Sequence, residues 1–315
     1  MYAKLNTLPA LLALLALGSA AHADDTLQSR VDETIRPLMA EHDIAGMAVA
    51  ITHNGQAHYF NYGVARMDDP QPVSSDTLFE IGSLSKPLTA TLAALAQATG
   101  KLTLADSAGQ HWPELRGSQL EHASLLNLGT YTAGGLPLQF PDSVTDPASM
   151  LAYYRQWQPE HIAGTHRRYS NPSIGLLGML AAKSMGQPFP TLMEDTLFPA
   201  LGMSHSYIQV PTAQLPRYAF GYSKDNQPLR VTPGMLDAEA YGVKTTARDM
   251  LRFVQANLNP AGLNKDLQRA IAMTHTGYYR VGEMTQGLGW ERYPYPISLE
   301  RLQAGNSPAM ALESQ

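Results

Sequence analysis

Ser83-Leu84-Ser85-Lys86-Pro87 opens a run rich in Leu, Ala and Thr that continues to Gly100. The run reads as a buried helix stopped by Gly100. Pro87 constrains its start: deeper in a helix it would lose a backbone bond and clash, so it belongs to the first turn. Ser83 is thereby set at the N-terminal end, where the macrodipole favours negative charge on an oxygen. Lys86, three residues on, shares its face. A hydroxyl attacks acyl groups only if something takes its proton and something steadies the resulting charge. An amine at this spacing can help with both. Alone, S-x-x-K is a weak signal and also reads as an ordinary exposed first turn.

Upstream, residues 26–41 carry apolar side chains at Leu27, Val31, Ile35 and Leu38, a helical period, with Pro37 expected to kink or shorten the end. Met47 to Thr52 reads as a strand, His53-Asn54-Gly55-Gln56 as a turn, and Ala57 to Ala65 as the returning strand. The middle of the chain mixes Gly- and Pro-rich loops with helical pieces at Met150 to Tyr154, Ser173 to Ser184 and Thr246 to Asn257. Gln286 to Trp290 reads as the start of a late strand. The simplest topology is an α/β (α+β) sandwich: an antiparallel sheet built from both chain ends, flanked by helices, with a mainly helical region inserted between.

The N-terminus reads as a secretory signal: Lys4, an apolar core from Leu8 to Leu17, and the small-x-small site Ala21-His22-Ala23. A signal peptide over 1–23 and a single domain over 24–315 follow, in a protein exported to the periplasm. The apolar core is too short to span a bilayer, and no later stretch is long enough. A net charge of −5 with no basic block argues against a nucleic-acid partner. With no cysteine, neither thiolate chemistry nor disulfides are available. The ten histidines show no H-x-H-x-D or H-E-x-x-H arrangement. His161 and His166, five apart, read as separate surface or loop residues. No metal and no cofactor is expected.

Tyr169-Ser170-Asn171 precedes an apolar helix starting near Pro172. It is a good helix cap. It is also a candidate catalytic loop, since a phenol near Ser83 and Lys86 could act as a general base and the Asn amide could meet a substrate carbonyl.

The segment Phe79-Glu80-Ile81-Gly82-Ser83-Leu84-Ser85-Lys86 resembles the active-site signature of class C β-lactamases, and Tyr169-Ser170-Asn171 resembles their second motif. Supporting similarity lies at Thr130 to Gln139, Leu236 to Lys244 and Gln286 to Trp290. The resemblance implies a serine β-lactamase/penicillin-binding transpeptidase-like fold and a monomer acting on a small-molecule β-lactam. Ser83 would be the nucleophile, Lys86 would share proton transfer, and Tyr169 would be the base. Asn171 and Gln139 would bind the substrate's side-chain amide, and Tyr241 would line the pocket wall. Gln139 also reads as an exposed loop residue, and Tyr241 as a packing aromatic. A D-Ala-D-Ala peptidase or esterase on the same scaffold shares these motifs. Class A enzymes place Ser-Asp-Asn where this chain has Tyr-Ser-Asn, so Tyr169 points away from them.

The family's third motif, Lys-Thr-Gly, is absent. Lys244-Thr245-Thr246 lacks the glycine and falls in another region. His275-Thr276-Gly277 follows an apolar run, so Gly277 reads as a helix cap. In the family this motif and further strands follow the Gln286 to Trp290 element. The expectation is a chain truncated at its C-terminus and inactive as written, although the complete gene product is active, or a remnant that only binds β-lactams.

Overall fold

The computed structural model describes residues 26–296. The expected signal segment over 1–23 and the last 19 residues lie outside the described residues.

Helix α1 covers residues 26–41 without interruption at Pro37. The carbonyl that Pro37 leaves unpaired is on the exposed side, where water can serve it, so the proline does not shorten the helix. The helix stops instead at Asp43, whose φ of 51° is left-handed. Its apolar stripe, with Val31 at the centre, packs on Phe60 and Tyr62 of a hairpin. The hairpin pairs β1 (Gly46–His53) with β2 (Gln56–Gly63) in antiparallel register from Gly46↔Gly63 to His53↔Gln56. Its turn has positive φ at both Asn54 and Gly55, the geometry that matches strand twist.

Strand β3 (Phe79–Glu80) leads to a 3-10 turn, Gly82–Ser85, and then to α2 (Lys86–Ala98). Gly82 sits at φ 54°, and it is this backbone conformation, not crowding, that calls for glycine. Helix α2 is buried along almost its whole length, with Leu88 and Leu92 fully enclosed. Truncating either to Ala would cost about 2–5 kcal/mol. Pro87 lies in its first turn, and Gly100 follows its end at φ 71°. Around α2 stand α3 (Pro147–Gln156), α4 (Asn171–Met185), α5 (Asp237–Tyr241), α6 (Ala247–Leu258) and α7 (Lys265–His275). Helices α2, α4, α5 and α7 share one hydrophobic core, while α6 also covers β1.

Strands β4 (Gly221–Tyr222) and β5 (Pro228–Leu229) form a small hairpin. Strand β6 (Lys244–Thr245) pairs antiparallel with β3. Strands β7 (Tyr279–Val281), β8 (Met284–Gln286) and β9 (Glu291–Arg292) form a third antiparallel unit. Two local expectations are corrected here. Gln286 ends a strand instead of starting one, because the chain bends over 287–290 with Gly289 at φ 69°. A Cβ on Gly289 would come within 2.8 Å of the Ala90 side chain and 3.0 Å of the Lys86 carbonyl, so glycine permits this bend to lie on α2. Gly277 is not a left-handed cap: α7 ends at Thr276 in extended conformation. A Cβ at Gly277 would meet Thr285 at 2.7 Å, so close packing on β8 explains the glycine.

The described residues combine helices with small antiparallel units. Within the described residues, β7–β9 pair with each other and β1 pairs with β2.

Candidate active site

Ser83 is exposed on the 3-10 turn, while Lys86 behind it is only 2% exposed. Lys86 Nζ donates to Ser83 Oγ at 2.9 Å. Two bonds hold the turn against the next segment: Ile81 N donates to the Val243 carbonyl at 3.2 Å, and Val243 N donates to Ser85 Oγ at 3.1 Å. Burial pulls the Lys86 ammonium down from its ordinary 10.5 to about 7, because water no longer stabilises its charge. Near neutrality this amine is therefore divided between a proton donor and a proton acceptor.

Tyr169 is half-buried, its ring centroid 4.9 Å from Lys86 Nζ. It also packs on Tyr131, with ring centroids 5.1 Å apart. Ser170 caps α4, its Oγ accepting from Ser173 N at 3.1 Å. The motif is thus both a cap and the carrier of a phenol beside the lysine.

Asn171 is buried, and its backbone N–H donates to the Leu138 carbonyl at 3.0 Å, which ties the Gln139 loop to α4. Among the described residues its Oδ1 has no hydrogen-bond partner. A buried acceptor left unmet costs about 1–3 kcal/mol, and such costs gather where ligands bind. Gln139 is exposed on its loop. Tyr241 ends α5, which packs on the Ser83 turn; its phenol is held above the ordinary range by burial and by Asp237. The structure thus places Ser83, Lys86 and Tyr169 in one cluster, bonds the Asn171 backbone to the loop that carries Gln139 through Leu138, and sets Tyr241 on the flanking helix.

Sequence reasoning assigned no role to the layer behind Tyr169. Arg167 is buried; its Nε donates to Gln286 Oε1 at 2.6 Å and its Nη2 to Glu291 Oε1 at 2.6 Å. Its guanidinium lies 5.2 Å over the Tyr131 ring. Gln286 Nε2 in turn donates to the carbonyls of Gly287 and Trp290 at 2.8 and 2.9 Å. A clamp therefore joins the segment that carries Tyr169, the Tyr131 loop and the bend that lies on Lys86.

Other expectations resolve locally. His161 and His166 are loop residues, and the loop folds back so that their rings stack at 4.0 Å. Among the described residues no group of three or more His, Asp or Glu side chains forms a metal-binding cluster. Lys244 lies on β6 opposite Glu80 of β3, but its Nζ donates to the Ile208 and Gly242 carbonyls at 3.0 and 2.8 Å. His275, at the end of α7, pairs with Asn257 Oδ1 at 2.9 Å.

The Beta-lactamase family model matches residues 31–306, most of the chain. The chain belongs to the β-lactamase family. Among family members, a β-lactamase of Pseudomonas fluorescens is 59% identical over 283 residues, covering 90% of this chain and 79% of its own length. One of Escherichia coli K12 is 43% identical, covering 98% and 82%. Among solved structures, a class C β-lactamase in complex with cefoxitin aligns with a TM-score of 0.88 at 49% identity, over 91% of this chain and 81% of that one. A β-lactamase/D-alanine carboxypeptidase from Pseudomonas syringae aligns with a TM-score of 0.86 at 50% identity, over 91% and 80%. The chain thus spans about four fifths of the length of these family members. Among its described residues no helix is long and apolar enough to cross a membrane.

Proposed function

We propose that this protein hydrolyses β-lactams, cephalosporins and penicillins, through an acyl-enzyme on Ser83 in the class C manner. The observation that carries the reading is the 2.9 Å contact between Ser83 Oγ and a buried Lys86 whose charge is half withdrawn near neutral pH. Ser83 Oγ attacks the lactam carbonyl carbon and gives up its proton to the Lys86–Tyr169 pair. The carbonyl oxygen takes the developing charge, with the Ser83 N–H as one oxyanion donor. The ring C–N bond breaks, and the departing nitrogen takes a proton from the same pair. Water, deprotonated by Tyr169, then attacks the ester; the Oγ–C bond breaks and Ser83 recovers its proton.

Asn171 and Gln139 bind the side-chain amide in this reading, and the buried Oδ1 of Asn171 gains the N–H donor it lacks. Tyr241 forms a wall. Export of a single domain over 24–315 to the periplasm accords with the leader-like first 23 residues.

A second reading, D-alanine carboxypeptidase, is favoured by the Pseudomonas syringae structure, which carries both descriptions. The two share acylation and differ in deacylation. The test is turnover of a chromogenic cephalosporin by the purified protein and by Ser83→Ala. Hydrolysis that disappears with Ser83→Ala supports the proposal. An unchanged rate in that variant overturns it. A stable acyl-enzyme with D-alanine release from D-Ala-D-Ala peptides selects the second reading, and an adduct with neither activity marks a binding remnant.

A further inference from the structure

Glu80 stands three residues before Ser83, on β3, and no step of acyl transfer uses it. Its carboxylate is nevertheless fully engaged. Oε1 accepts from the Tyr218 hydroxyl at 2.5 Å, and Oε2 accepts from the Val231 backbone N–H at 3.1 Å. These two partners are the feet of one loop, 218–231, which carries the β4–β5 hairpin. Arg230 seals the feet together: its guanidinium lies 3.3 Å over the Tyr218 ring centroid and donates to the carbonyls of Tyr218 and Ala219. The first foot is also stitched to β3 by Leu78 N to the Arg217 carbonyl and Ala219 N to the Leu78 carbonyl, both 2.9 Å. Burial and the bond to Glu80 hold the Tyr218 phenol well above its ordinary range, so it remains a donor.

From Val231 the chain runs through Gly234, where a Cβ would lie 3.6 Å from the Tyr241 hydroxyl, into α5 and Tyr241. It then returns to β3 by the Val243–Ile81 bond and the Lys244↔Glu80 pair. The path is a closed ring: β3, Glu80, Val231, the 232–236 segment, Tyr241, β6, and β3 again. We propose that Glu80 is a positioning residue that fixes the 231–236 segment and Tyr241 relative to Ser83, and so determines how large a side-chain substituent the site admits. This rests on the β-lactamase reading above, with Tyr241 as a wall.

The test uses Glu80→Ala and the milder Tyr218→Phe, which removes one of the two bonds. Hydrogen exchange of the 228–241 segment reports the anchor without reference to activity. At least tenfold faster exchange there in Glu80→Ala, with the α2 core unchanged, is expected, and a smaller rise in Tyr218→Phe. Steady-state kinetics on two cephalosporins differing only in side-chain size reports specificity. Glu80→Ala should shift the large-to-small ratio of kcat/KM about tenfold towards the large substrate, chiefly through KM, with kcat on the small one within about twofold. Unchanged exchange overturns the anchor. Faster exchange with an unchanged ratio, or with kcat lost equally on both substrates, overturns the specificity role. Failure of the parent reading looks different: no Ser83-dependent cephalosporin reaction in the unmutated protein.

Discussion

The Tyr169 ring centroid lies 4.9 Å from Lys86 Nζ, so the lysine that touches Ser83 also rests against the candidate base. Burial lowers the lysine to about 7 by withdrawing water from its charge. That sets a proton exchanger close to neutrality, where general acid–base catalysis is most effective.

The pH dependence of acylation follows from that value. Below about pH 7 Lys86 is protonated and cannot take the Ser83 proton; above it the neutral amine can. kcat/KM for a cephalosporin should rise with one proton's slope through about pH 7 and level off above. Lys86→Arg should remove that limb and cost about 10²–10⁴-fold. Stopped-flow acylation from pH 5 to 9 measures both.

Tyr169→Phe keeps the ring against Lys86 and Tyr131 and deletes only the hydroxyl. Hydrolysis should slow about 10²–10⁴-fold, the usual weight of a general base. The urea midpoint should scarcely move. Near-normal turnover would remove Tyr169 from its role.

Arg167→Lys keeps a cation but cannot fork between Gln286 and Glu291. The loss of one charge-assisted bond should lower stability by about 1.5–3 kcal/mol in urea unfolding. The rate should fall as well, because the clamp sits behind Tyr131 and Tyr169. An unchanged unfolding curve would contradict the clamp.

Glu239 provides a stability prediction separate from the chemistry. It is buried on α5, and desolvation raises its carboxyl from 4.5 to about 7. Between these values the folded state keeps a proton that the unfolded state releases, so stability falls as pH rises from about 4.5 to 7 and the deficit persists above. Glu239→Gln should remove this loss and gain up to about 3 kcal/mol at pH 8. Urea melts at pH 5 and pH 8 on both proteins check it.

What was legible in the sequence was local. The Ser83–Lys86 contact follows from three-residue spacing, Pro87 located the start of α2, and Asn54-Gly55 the hairpin turn. Ser170 could be read as a cap from its neighbours alone. The clamp was not legible, because Arg167 and Gln286 are 119 residues apart and no period links them. Gly277 was misread because its need for glycine comes from Thr285 across a strand, and Pro37 because its freed carbonyl faces solvent. The stacking of His161 on His166 likewise depends on a loop path that spacing cannot supply.

The most direct test is the mass of the protein seconds after mixing with a cephalosporin, followed by peptide mapping. The account predicts one drug-derived acyl group on the peptide containing Ser83, absent in Ser83→Ala. An adduct on another residue, or hydrolysis persisting in Ser83→Ala, would contradict it.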